Sequence, residues 1–309
     1  MQKEDTDMGY LQDRDGRIAG FEETLELCEQ DSILSQAIQQ TGARTRCYQY
    51  KNGTSWKRQL WSRIKKDRNG LPKIRRWRCQ TNQDNIFVTQ ERSLEAVRRM
   101  KTAYPQSRVA VLQFASGTNP GGGVIRGGVG QEESLCRCST LYPCLQQHKV
   151  RKTFYDRHQR TGDPYYSDTC VYLPGIIGIR DDALGGGVLR KQDRYTFDVI
   201  TCAPPNVWIR RWDEEHKNLM KPLENPENIE NIIERRAYAV IRTAVRNYVD
   251  ILVLGAFGCG IYGNSPQMVA KAFKKALNEC GYSFKAVIFA IHSDVEEPLQ
   301  NYNTFSAIL

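Results

Sequence analysis

Apolar residues recur at two different periods along the chain. Across residues 20–40, Phe21, Leu25, Ile33, Leu34 and Ala37 fall at helical spacing. Ile86 to Thr89 is short and β-prone. Between Ser93 and Tyr104, Leu94, Val97 and Met100 share one face, which predicts a helix. Val109 to Phe114 is an apolar run of the kind buried on both faces of a sheet, and Phe197–Cys202 and Ile251–Leu254 are two more. Asn228 to Tyr248 reads as a long helix. Ser265-Pro266 supplies an N-cap and a proline for the first turn of another, which runs to Cys280 with Gly281 suited to its C′ position. Ala286 to Ile291 is a last buried strand. Alternating strands and helices of this kind predict an α/β fold: a mixed, largely parallel sheet with helices on both faces. Residues 1–84 differ in pattern and are expected to form an N-terminal helical and basic extension to a domain spanning 85–309.

Two loops leave predicted strands at their carboxyl ends, where open α/β sheets bind ligands. After Val109–Phe114 the chain reads Ala115-Ser-Gly-Thr-Asn-Pro-Gly-Gly-Gly-Val124. After Ile251–Leu254 it reads Gly255-Ala-Phe-Gly-Cys-Gly-Ile-Tyr-Gly-Asn264. Glycine lets successive amides converge on one anion, and a helix soon after the second loop adds partial positive charge. Neither loop has the pattern of a Walker P-loop, and the spacing does not fit a dinucleotide fingerprint. Gly185-Gly186-Gly187, flanked by charge, reads as an ordinary surface loop.

The chain has 309 residues, ten cysteines, four histidines and a net charge of +9. No stretch approaches the ~20 apolar residues of a membrane span. The start MQKEDTDMGY lacks a secretory pattern, so a cytoplasmic location is expected. The cysteines are irregularly spaced, with no CxxC pair, and are read as reduced thiols in or near the core. The tightest group, Cys136, Cys138 and Cys144, lacks the paired spacing of a zinc site. Between Lys57 and Arg78 ten basic residues face one acid, Asp67, so this run accounts for the whole net charge. Trp56, Trp61 and Trp77 are interleaved with it. That composition suits a polyanion whose bases stack on the rings, or else a solvated surface element. In a eukaryote, Arg63 to Arg78 could also serve as a nuclear address.

Beyond the first glycine loop stand Gln131, Glu132 and Glu133. Adjacent carboxylates oppose phosphate binding, so they make sense facing another part of a ligand, such as a sugar hydroxyl or an anomeric carbon. The alternative is a helix first turn in which they merely complement the dipole.

The stretch Gly121-Gly122-Gly123, seven residues, then Gln131-Glu132-Glu133 resembles the signature of poly(ADP-ribose) glycohydrolases. The wider strings NPGGGV, QEESLCR, LYPCL, Tyr165-Tyr166-Ser167, VITCAPPN, GAFGCGIYGN and VIFAIHS resemble the bacterial-type branch, in order, over about residues 85 to 309. The resemblance implies a macrodomain-like fold that binds ADP-ribose and hydrolyses ribose–ribose O-glycosidic bonds without a metal or cofactor. It implies that Glu133 is the catalytic acid/base and that Glu132 holds ribose hydroxyls. Gln131 would support the loop, and Asn119, Gly121, Gly122 and Gly123 would shape it around ribose and phosphates. Gly258, Cys259, Gly260, Ile261 and Tyr262 would wrap the diphosphate, with the Tyr262 ring on the substrate ribose. The family often has phenylalanine at the position of Tyr262 and tryptophan at that of Phe257, which is also counted among the substrate-binding residues. Expected partners are poly(ADP-ribose) on modified proteins, ADP-ribose as product, and polymer or nucleic acid along Lys57–Arg78. Two other readings stay open: a non-catalytic ADP-ribose-binding macrodomain, and a hydrolase of mono-ADP-ribose on protein or nucleic acid.

Overall fold

The computed structural model describes residues 13–50, 85–182, 186–207, 226–280, 283–292 and 299–309. Seven strands form one sheet: β1 (Arg46–Tyr48), β2 (Ile86–Thr89), β3 (Val109–Phe114), β4 (Cys170–Gly178), β5 (Tyr195–Cys202), β6 (Ile251–Leu254) and β7 (Ala286–Ala290). Their order is β1-β4-β5-β3-β6-β7-β2. The pairs β5/β3, β3/β6, β6/β7 and β7/β2 are parallel, and β1/β4 and β4/β5 are antiparallel. The sheet is therefore mixed and mostly parallel.

Strand β3 shows why its sequence is almost uniformly apolar. Val109 and Val111 enter one core, with Phe21, Leu94, Val97 and Leu135. Ala110 and Leu112 enter the other, with Ile233, Val240 and Phe273. Alternate side chains of a central strand point to opposite faces, and here both faces are covered. The helix Ser93–Ala103 packs on the first face, and Pro226–Arg246 and Pro266–Glu279 on the second. The Ser265 hydroxyl caps the last of these by accepting from the Met268 amide at 3.4 Å.

Three details depart from the pattern-based expectations. The helical stretch over residues 20–40 is two helices, α1 (Arg14–Gln30) and α2 (Ser32–Arg44). They part at Asp31, whose carboxylate caps α2 through the Ile33 amide and pairs with Arg194. Strand β4 escapes periodicity because Pro174 interrupts it. The register shifts between Leu173 and Ile176, and Gly175 takes φ +79°. The helix Gln300–Ile308 is too polar to stand out, and only Phe305 is fully enclosed. The basic run Lys57–Arg78 and Gly281 lie outside the described residues.

Five parallel strands end on one side, at Thr89, Phe114, Cys202, Leu254 and Ala290. From β3 the neighbouring strands lie on opposite sides, β5 and β6, so the loops after β3 and β6 stand side by side. The N-terminal helices reach the same region. Phe21 of α1 meets Tyr142 edge-on at 4.9 Å, and the Thr24 hydroxyl donates to the Arg137 carbonyl at 2.6 Å.

Candidate active site

The loop after β3 turns twice through positive φ, at Gly121 (+74°) and Gly122 (+58°). It then leads into a short helix, Gln131–Arg137, that carries the three residues QEE. These three side chains have three different tasks. Gln131 binds backbone: its Oε1 accepts from the Phe114 amide at 3.0 Å, and its Nε2 donates to the Leu112 carbonyl at 2.7 Å. It thereby ties the helix to the end of β3.

Glu132 is 5% exposed and receives three donors. Gln113 Nε2 and the Gly121 amide reach Oε1 at 2.9 and 3.1 Å, and the Ser116 amide reaches Oε2 at 2.6 Å. Gln113 is itself oriented by the Thr201 hydroxyl, which donates to its Oε1 at 2.6 Å. Burial pushes the Glu132 carboxyl well above the usual carboxylate range, and the nearby Glu133 adds to it. The three donors pull the other way without reversing the direction.

Glu133 is half-buried and receives one donor among the described residues, the Gly123 amide on Oε1 at 2.8 Å. Its carboxylate is wrapped in glycine. A Cβ at Gly122 would lie 2.5 Å from Oε1, and one at Gly130 would lie 2.5 Å from Oε2. The glycine triplet thus has two uses: positive φ, and a backbone that closes on a carboxylate without a side chain in between.

The loop after β6 faces this pair. Gly258 takes φ +73°, and a Cβ there would meet Asn264 Nδ2 at 2.4 Å. Among the described residues no acceptor is paired with the amides of Gly258, Gly260, Ile261 and Tyr262, while the Cys259 amide closes a turn onto Ala256. Ile261 projects into solvent at 82% exposure. Tyr262 approaches the ring of Tyr166 at 6.4 Å between ring centres. Phe257 turns the other way. It is 1% exposed and packs edge-on between Phe114 and Phe273, so it supports the loop from beneath. Asn119 is exposed, and its backbone closes turns to Ser116 Oγ and the Gly122 amide. Cys136, Cys138 and Cys144 are buried free thiols.

Two residues of the site, Gln113 and His158, carry no motif, while Tyr166 and Ser167 beside them belong to a string that resembles the family. His158 accepts the Ser167 amide on Nε2 at 3.2 Å, so that nitrogen is bare and Nδ1–H donates to the Gly117 carbonyl at 3.1 Å. Burial lowers its pKa to about 4. The ring of Tyr166 covers Gly117, where a Cβ would fall 2.4 Å from it, and Tyr166 itself sits at φ +56°. A left-handed non-glycine residue at a site of this kind is held by its surroundings, here the rings of His158 and Tyr262. Gln113 had one visible signal: it is the single polar residue in an apolar strand. His158 had none.

Beside Gln131 and Gly260 lies a cavity of about 280 Å³ lined by Phe114, Ala256, Ile291, Glu91, His292 and Asn301 among others. Amides without an acceptor among the described residues, the adjacent Glu132 and Glu133, and a cavity of mixed polarity stand together at the carboxyl ends of a macrodomain-like sheet. That arrangement defines an α/β protein of the macrodomain-like class. The chain belongs to the microbial-type poly(ADP-ribose) glycohydrolase (PARG) family, whose catalytic domain matches residues 22–181. It is similar in structure to the poly(ADP-ribose) glycohydrolase of Thermomonospora curvata bound to the inhibitor ADP-HPD. The TM-score is 0.74 at 30% identity, over 96% of this chain and 100% of that one. It is also similar to the Deinococcus radiodurans enzyme in complex with ADP-ribose, with TM-score 0.70 and 27% identity over 88% and 96% of the two chains. No curated protein sequence matches at a significant level. Among the described residues no helix is long and apolar enough to cross a membrane.

Proposed function

We propose that this protein hydrolyses the ribose–ribose O-glycosidic bonds of poly(ADP-ribose), releasing ADP-ribose, with Glu133 as acid/base. The observation that carries this reading is the contrast between the two glutamates. Glu132 spends both oxygens on three protein donors, whereas Glu133 spends one oxygen on the Gly123 amide. The second oxygen of Glu133 is left for the scissile bond.

In the reaction Glu133 gives its proton to the departing ribose oxygen as the C1″–O bond breaks and an oxocarbenium-like centre forms. The resulting carboxylate takes a proton from water, whose oxygen bonds to C1″. Cleavage at the end of a chain releases ADP-ribose and leaves a polymer one unit shorter. Glu132 orients ribose hydroxyls. Its burial favours the neutral form, which lessens repulsion beside Glu133 and the diphosphate. The amides of Gly258, Gly260, Ile261 and Tyr262 take the diphosphate, and the Tyr262 ring covers the ribose. The cavity beside Gln131 takes the adenosine: Phe114, Ala256 and Ile291 offer apolar surface to a purine, and Glu91, His292 and Asn301 offer polar groups to its edge and ribose. The basic, tryptophan-bearing run Lys57–Arg78 grips longer chains.

The test is release of free ADP-ribose from poly(ADP-ribosyl)ated protein by wild type and by Glu133→Ala. Release by wild type, with loss in the variant and ADP-ribose binding retained, is the expected result. Binding without release by wild type would make the protein a reader of ADP-ribose. For the basic run, neutralising Lys65, Lys66, Arg75 and Arg76 is expected to weaken long-chain binding and spare ADP-ribose. Unchanged long-chain affinity would remove that role.

A further inference from the structure

The loop from Val124 to Gly130 encloses Glu133; Val124 anchors its start in the core, but beyond Val124 little side-chain packing holds it. Gly127, Gly128 and Gly130 supply no side chain, and Ile125 and Val129 are 61% and 64% exposed. Glycine also loses the most conformational freedom on ordering. The loop is nonetheless pressed onto Glu133: a Cβ at Gly128 would lie 2.9 Å from Glu133 Cγ.

Its anchors are arginines. Three consecutive carbonyls each accept from a different guanidinium. Arg14 Nε reaches the Arg126 carbonyl at 3.2 Å, and Arg17 Nε reaches the Gly127 carbonyl at 2.7 Å. Arg137 Nη1 reaches the Gly128 carbonyl at 3.0 Å. Two of the three arise from α1, N-terminal to the segment that the family match covers. The inner side of the loop is closed by amides, since Gly127 and Gly128 donate back to Val124 and Gly123 at 3.0 and 3.1 Å. Contact with α1 is close enough to dictate residue type. Gly127 takes φ +72°, and a Cβ there would stand 2.7 Å from the Arg14 carbonyl oxygen.

We infer that Arg17, with Arg14 beside it, is a positioning residue for the reaction: α1 sets the place of the Glu133 carboxylate by holding the carbonyls of the loop around it. The N-terminal helix is then a working part of the active site. Charge-assisted hydrogen bonds are the stronger kind, and they hold the stretch beyond Val124, where side-chain packing is slight. This inference rests on the reading of Glu133 as acid/base. The diphosphate loop lies on another element, and the adenosine cavity touches this loop only at Val129 and Gly130, beyond the carbonyls that the arginines hold, so the greater part of the ADP-ribose site does not depend on α1.

The experiment uses the full chain. Arg17→Met keeps the aliphatic stem and removes the guanidinium, and Arg17→Lys restores a cation. Turnover on poly(ADP-ribosyl)ated protein, calorimetric affinity for ADP-ribose and thermal midpoint are measured for each. Since a displacement of about 1 Å costs about 100-fold in rate, Arg17→Met is expected to lower kcat by about 10- to 100-fold. Affinity for ADP-ribose should stay within about threefold, and Arg17→Lys should recover a large part of kcat. An unchanged kcat, or a loss of affinity in step with kcat, overturns the inference. Should Arg17→Met fail to fold, Arg14→Met carries the same comparison, because that guanidinium bonds the loop at an exposed position. Absence of turnover in wild type is a separate result that overturns the proposed function instead.

Discussion

Gln113 and Glu132 meet inside the protein, Nε2 to Oε1 at 2.9 Å, at a point where neither reaches solvent freely. The Thr201 hydroxyl donates to the oxygen of this amide, which leaves its NH2 directed toward the carboxyl. Replacing Gln113 with leucine removes one of the three donors on Glu132 and strands the Thr201 hydroxyl. Leaving such groups unsatisfied costs about 1–3 kcal/mol. The expected outcome is that loss in urea unfolding, with ADP-ribose release reduced by about tenfold or more as Glu132 loosens. Full activity in Gln113→Leu would show that the Gln113–Glu132 contact has no bearing on the reaction.

Gly122 has no room for a side chain on two counts, φ +58° and a Cβ position 2.5 Å from Glu133 Oε1. Gly122→Ala is expected to reduce turnover by about 100-fold by displacing that carboxylate. Gly187 has nothing within 4 Å of its Cβ position, so Gly187→Ala serves as the control, with activity unchanged. Equal behaviour of the two variants in an ADP-ribose release assay would contradict this.

His158 gives a pH signature. Its folded pKa is about 4 against an ordinary 6.5, because burial disfavours the cation. Between those values the unfolded chain binds more protons than the folded one, so this group's stabilisation is complete above about pH 6.5 and lost as pH falls toward 4. The effect amounts to at most about 3 kcal/mol. Glu132 and Asp182, whose carboxyls are raised by burial, work in the opposite sense. The measurement is therefore the stability difference between wild type and His158→Gln across pH. That gap should shrink from pH 7 toward pH 4.5, and a constant gap would refute the assignment.

Phe257 and Ile261 sit four residues apart in one loop and should respond oppositely. Phe257→Ala opens a cavity between Phe114 and Phe273 and should cost about 3–5 kcal/mol of stability. Ile261→Ser changes a side chain in solvent and should leave stability within about 0.5 kcal/mol. Thermal or urea denaturation distinguishes the two directly.

By itself the sequence determined the strands that lie in the middle of the sheet. Val109–Phe114, Ile251–Leu254 and Ala286–Ile291 are buried on both faces, and that burial demands continuous apolar residues. It also marked the two glycine loops and the QEE triplet, because a backbone that closes on a carboxylate or an anion admits little but glycine. What it left open has physical reasons. Strand β4 is bent by Pro174 and kept in the sheet by β1 and β5 on either side, which no local pattern encodes. The role of each glutamate depends on donors brought from Gln113, Ser116, Gly121 and Gly123, and adjacency in sequence says nothing of which oxygen each donor takes. Phe257 carries an aromatic ring in a ligand-type loop, yet the packing of Phe114 and Phe273 draws it inward. Only the tertiary structure brings Arg14 and Arg17 onto a loop more than a hundred residues away, since hydrogen bonds to main-chain carbonyls leave no trace in the sequence of the loop they hold.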